Sequence, residues 1–303
     1  MGNILYPPAR PQSVGEVLDT AFRIYSATLL KCLPYSFASV IFGQLLSIYD
    51  LVHRHATTVA AIQTAQMQRL RDPLWLTLLL VLIVVSTMFA NAVFLRQYAL
   101  ATGRAASMRA ELGRGLQRTP GVMLMILLAV LAFVGTLIPV MIVVGSIGGV
   151  LGGYRVAPVP TSQIWLMLAI FLAMLVAGSW VVIRWICSVP IYLLTQRGAI
   201  DSMSHSWQLT VGNFWRQSII YSVGVALIVV FYVLATVVGG LVALLVGRGD
   251  LVVFLAVSAA AIALLAAVFT PFYHALILAV YGDLAARREG ADLAQRIAAP
   301  VVP

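Results

Sequence analysis

Charge is what this chain has least of. Of its 303 residues, 10% are charged and 62% are hydrophobic. A soluble domain carries about a quarter charged residues, so a water-exposed globule is excluded. Only ten residues are acidic, and they lie in loops and tails. Paired carboxylates for acid–base catalysis therefore have no shared site. There are two cysteines, Cys32 and Cys187. They form no disulfide framework or metal spacing, and both fall near the same membrane face, where a reduced state is expected. Ser204, His205 and Ser206 are adjacent. Neighbours on a helix point about 100° apart and cannot form a relay, so His205 is expected to be an interfacial polar residue. The cluster Gly145, Gly148, Gly149, Gly152 and Gly153 lacks the Lys-Ser/Thr ending of a phosphate-cradling loop. It is left as an outer loop or a close helix contact. Met1–Arg10 has no apolar core, so no signal peptide is expected and the first crossing serves as a signal-anchor.

What the chain does have is long uncharged runs. Leu33–Tyr49, Leu74–Leu95, Val122–Val144, Ile164–Ile183, Ser218–Val246 and Leu251–Gly282 contain no Asp, Glu, Lys or Arg. A crossing helix needs about 20 apolar residues. Most of the runs meet that length, and the first, at 17, can be extended by its neighbours. Continuous runs also argue against a β-barrel, whose short strands alternate. The fold class read from this pattern is all-α, a polytopic membrane helical bundle of six transmembrane helices with amphipathic interfacial helices. It forms one integral membrane domain over 1–303, with an irregular proline-rich start at 1–12 and a charged tail at 282–303. Pro34, Pro73 and Pro120 sit near the starts of crossings, where the missing amide has no helical partner anyway.

The net charge is +9. With the amino terminus inside, fourteen of the 19 basic residues fall on inner segments and five, Arg54, Arg69, Arg71, Arg155 and Arg248, on outer ones. That is the positive-inside bias, with both termini cytoplasmic. The inner basic surface is suited to anionic lipid head groups rather than nucleic acid.

Short amphipathic stretches precede the outward crossings. Ser13 and Glu16 form a capping box, and Asp19 and Arg23 form an i,i+4 pair on the helix that follows. Met108, Leu112 and Leu116 recur on a second such helix. The third, Gly198–Arg216, places Ile200, Met203, Trp207, Val211 and Phe214 on one face. Gly212-Asn213 is a stop signal, and Trp207, Asn213, Phe214, Trp215 and Arg216 form an interfacial motif. Interfacial helix plus spanning hairpin, repeated three times, is the internal repeat this suggests. Ala256, Ala259, Ala260, Ala263 and Ala267 form small-residue ladders for a neighbouring helix.

Candidate site residues are few. Asp50 and His53 are too few ligands for a metal, so no metal, cofactor or catalytic residue is assigned. Gln44 is the main polar side chain near midplane. Arg184 lies roughly 30 Å along the fourth crossing, near the inner head groups. By the same depth count Asn91 and His274 reach a similar level. Arg184 is expected either to snorkel or, with Asn91 or His274 beside it, to contact a lipid phosphate or an anionic substrate. In the tail, Asp283 with Arg287 and Arg288 with Asp292 are i,i+4 pairs, read as a solvated helix end or a docking motif against the inner loops.

Three stretches carry a resemblance. They are Ser13–Asp19 with Phe22–Tyr25, Ser206–Arg216, and Tyr281–Leu293. Together they resemble a bacterial six-helix inner-membrane family, labelled as the membrane domain of glycerophosphoryl diester phosphodiesterase and related to YciC-like proteins. The resemblance implies six crossings in the inner membrane. It implies no chemistry, since the soluble phosphodiesterase barrel is missing. The expected function is non-enzymatic handling of membrane lipids or a small anionic amphiphile. The alternative is a scaffold or regulator of envelope assembly acting through a protein partner. The arginine bias yields a direct test of orientation. A reporter active only outside the cytoplasm, fused after Pro303, is expected to stay silent, and an active fusion would reverse the assignment.

Overall fold

The computed structural model describes residues 5–53, 72–105, 107–152, 161–247 and 251–290. These form helices α1 (Val14–His53), α2 (Pro73–Ala101), α3 (Met108–Gly152), α4 (Thr161–Trp185), α5 (Ser188–Leu194), α6 (Ala199–Thr210), α7 (Phe214–Gly247) and α8 (Leu251–Glu289). Among the described residues there is no strand. Among the described residues five helices, α1, α2, α3, α7 and α8, are long and apolar enough to cross a membrane. The chain is therefore a multi-pass membrane protein.

Local signals set several helix ends. Ser13 and Glu16 exchange the capping-box bonds at 2.6 and 3.3 Å, and Asp19 pairs with Arg23 at 2.8 Å. Asp72 caps α2 by accepting from the amides of Leu74 and Trp75, with Pro73 as its first residue. Pro34 and Pro120 correct the expectation placed on them: both lie inside continuous helices. The amphipathic stretch and the crossing that follows are thus one 40-residue helix in α1 and one 45-residue helix in α3. Only the third stretch, α6, is separated from its crossing, by Gly212 at φ +80°. The glycine cluster also corrects to helix as far as Gly152.

The long helices pack antiparallel in the order α7, α8, α1, α2, α3, α4, and α2 also touches α8. Short polar links and close approaches hold this order. The Ser39 hydroxyl donates to the Ser86 carbonyl at 3.0 Å, and the Ser86 hydroxyl returns the bond at 2.9 Å. Such side-chain bonds do between apolar helices what water exclusion does in a soluble core. Phe231 stacks on Phe269 at 4.2 Å between α7 and α8. The alanine ladder divides: Ala256, Ala259 and Ala260 are exposed, Ala263 is half-buried and Ala267 is buried. The close approach is Gly239 against Ala261 and Ser258.

Antiparallel pairing gathers residues 5–32, 96–118, 184–216 and 281–290 at one end. The large buried side chains Ile24, Phe94, Met125, Ile191, Ile220 and Leu284 gather there too. Elsewhere the helices are covered by little protein: in the most apolar 18-residue stretch of α7 only 6% of residues are buried within the chain. A helix that is apolar all round and uncovered is a lipid-facing helix.

The α2–α3 crossing offers a clean stability test. A Cβ on Gly115 would stand 3.0 Å from the Met88 carbonyl oxygen, while one on Gly113, on the same helix, would meet nothing. Gly115→Ala is expected to destabilise by about 1–3 kcal/mol through overpacking. Gly113→Ala is expected to be neutral or stabilising, as alanine is the better helix former. Thermal unfolding in mild detergent compares the two.

Candidate functional site at the charged end

The most connected polar group is Asp283 on α8, a carboxylate only 1% exposed. It accepts from the Gln12 backbone amide at 2.7 Å. Arg287, one turn on, donates to both oxygens at 3.2 and 3.1 Å. Arg216, in the first turn of α7, forms a second ion pair with it. Both arginines also donate to the Gln12 carbonyl, and the Gln12 side chain donates to Thr20 at 2.8 Å. One aspartate thus joins the amino-terminal segment, α7 and α8. The segment is held along its length. Leu5 and Tyr6 amides donate to the Ala101 carbonyl at 2.9 and 3.2 Å. Tyr6 packs edge-on to Tyr98 at 5.6 Å. Gly282 is bare where the Tyr6 ring lies, since a Cβ there would stand 2.6 Å from it.

Of the tail pairs, Asp283–Arg287 therefore forms as part of this larger network. Arg288 donates to the Val211 carbonyl at the end of α6, and Asp292 lies outside the described residues.

Arg184, in the last turn of α4, has a different setting. Its guanidinium lies over Trp180, Trp207 and Phe214 at 5.4, 5.2 and 5.7 Å. It reaches the Thr210 hydroxyl at 3.5 Å, and its carbonyl accepts from Ser206 at 2.8 Å. No carboxylate pairs with it among the described residues. Ring faces carry partial negative charge and hold the cation in place of an acid. The expected company of Asn91 and His274 is corrected. Asn91 donates to the Gly115 carbonyl and Thr119 hydroxyl on α3, both at 3.4 Å. His274 shares its Nδ1 with the Thr270 carbonyl of its own helix at 2.8 Å. The three side chains face different neighbours.

The interfacial motif divides between the two settings. Trp207 and Phe214 hold Arg184, and Trp207 meets Trp180 edge-on at 5.1 Å. The Asn213 carbonyl accepts the Gln217 amide at 3.1 Å as α7 begins. Arg216 binds Asp283, and Trp215 is 78% exposed. The apolar face of α6 divides: Met203 is buried. Ile200 and Val211 are exposed, while Ser202, Ser206 and Thr210 are fully buried. Gln44 is half-buried on α1.

A third cluster escaped the sequence reading. Glu111, 7% exposed, accepts from the Tyr35 hydroxyl at 2.9 Å and pairs with Arg96 at 3.3 Å. The available signal was the hairpin, since a short turn between α2 and α3 brings positions 96 and 111 level. Among the described residues no three potential metal ligands gather. No protein-family model, curated protein or solved structure matches this chain.

The Asp283 node yields the next test. Removing one partner of a buried ion pair strands the others, so Asp283→Ala is expected to cost about 3–5 kcal/mol. Asp19→Ala breaks an exposed pair and is expected to cost less than about 1 kcal/mol. Unfolding in detergent measures both, and faster proteolysis before Ser13 should accompany only the first.

Proposed function

We propose that this chain is a non-enzymatic protein of the bacterial inner membrane that binds anionic lipids, or a small anionic amphiphile, at its charged end. In this reading α4 is the sixth crossing, both termini are cytoplasmic, and helix plus hairpin repeats three times. The chain is then a member of the glycerophosphoryl diester phosphodiesterase membrane-domain family, on the three stretches given above.

One observation carries the lipid reading. At the charged end Lys31, Arg104, Arg109, Arg114, Arg118, Arg184, Arg197 and Arg288 have no carboxylate partner among the described residues. Among the described residues nothing cancels their positive charge. Basic residues next to an anionic leaflet each contribute about 1 kcal/mol of attraction. Exposed Trp215 beside them is an amphipathic anchor of the kind found at head-group depth, and Ile200 adds exposed apolar surface.

Native mass spectrometry of the full chain from mild detergent tests this. The expected result is retained lipid enriched in anionic over zwitterionic species relative to the membrane. Retention in proportion to membrane composition would remove the lipid reading, and a stoichiometric protein partner in its place would favour the scaffold.

A further inference from the structure

We propose that the α2–α3 turn holds a binding pocket for one phosphate-bearing lipid head group. A cavity of about 200 Å³ opens there, where α2 ends and α3 begins. A water occupies roughly 30 Å³ of liquid, so the space admits a phosphate with glycerol carbons attached. Arg104 and Arg114 line it from opposite sides of the turn, together with Ser107 and Glu111. Neither arginine has an acidic partner among the described residues. Arg104 is steered by the ring of Tyr98, with its guanidinium 5.4 Å from the ring centre.

The acid in the lining does not oppose an anion. Arg96 neutralises Glu111 at 3.3 Å, and the Tyr35 hydroxyl occupies one of its oxygens. With Arg104 and Arg114 the site carries a net charge of +2. The first turn of α3 adds amides with no helical acceptor and the positive end of a 45-residue helix. Leu95 and Tyr98 supply an apolar wall. Arginine suits this position because its planar fork grips two phosphate oxygens at once. The pocket therefore pairs a dication with an apolar wall, which fits a phosphate ester on a lipid better than a bare ion.

This inference rests on the lipid reading above and narrows it to one site. The test titrates the full chain, in mild non-ionic detergent, with dioctanoyl phosphatidic acid, dioctanoyl phosphatidylcholine or inorganic phosphate, and reads occupancy by native mass spectrometry. One equivalent of phosphatidic acid is expected to bind, with phosphatidylcholine and inorganic phosphate at least tenfold weaker. Arg104→Ala and Arg114→Ala are each expected to weaken it by about tenfold, the value of one charge-assisted contact. Arg23→Ala, on α1 and outside the cavity, where it breaks only the exposed pair with Asp19, is expected to leave it unchanged. Equal losses from all three variants, or none from any, would overturn the pocket and leave the broader lipid reading standing. Inorganic phosphate binding as tightly as the lipid would overturn the lipid source. A wild-type chain that takes up no anionic lipid would overturn both readings.

Discussion

The charged end is held by the carboxylate of Asp283. Buried almost completely, it needs its donors, and each donor comes from a different part of the chain. A buried ion left unpaired is far more costly than an exposed one, so the three segments are obliged to meet. That obligation fixes how α7 and α8 start and finish relative to each other, and it closes the amino-terminal segment over the bundle. The large buried side chains then pack above a frame whose register is already set.

The other cations of that end find different solutions to the same problem. Arg184 is held by three ring faces, which accept a cation without cancelling its charge. Arg96 is neutralised by Glu111. Arg104, against the ring of Tyr98, and Arg114 have no acidic partner among the described residues and stand beside open space. What sets the last two apart is the cavity that they line together. Eighteen of the 19 basic residues are arginines, Lys31 being the sole lysine. A planar, weakly hydrated guanidinium suits both the ring cage and the phosphate contact.

Much of the fold was legible in the sequence, because hydrocarbon imposes length and apolarity directly on each crossing. The Ser13–Glu16 box and the Asp283–Arg287 pair were legible because their partners are one turn apart. Arg216 and Gln12 were not, being 67 and 271 residues from Asp283. The error over Arg184, Asn91 and His274 has a plain cause. Counting residues gives height along an axis, while contact also depends on the direction each side chain faces. On α6 the surrounding medium decides which face is apolar. Apolar periodicity marks the buried face when water lies outside. When lipid lies outside, Ile200 and Val211 can face outward while the serine and threonine stripe turns inward to find partners.

The sparse protein cover on α7 has a mechanical side. Stiffness is unequal along the membrane normal. Ion pairs, ring contacts and buried side chains brace the charged end, while the α7 span has little protein against it over most of its length. A thicker or thinner bilayer acts on lipid-facing surface first, and helices answer such mismatch by tilting. Tilt is therefore cheapest far from Asp283, and the charged end acts as the pivot. The same asymmetry lets the head-group face keep its shape while the opposite leaflet varies in composition.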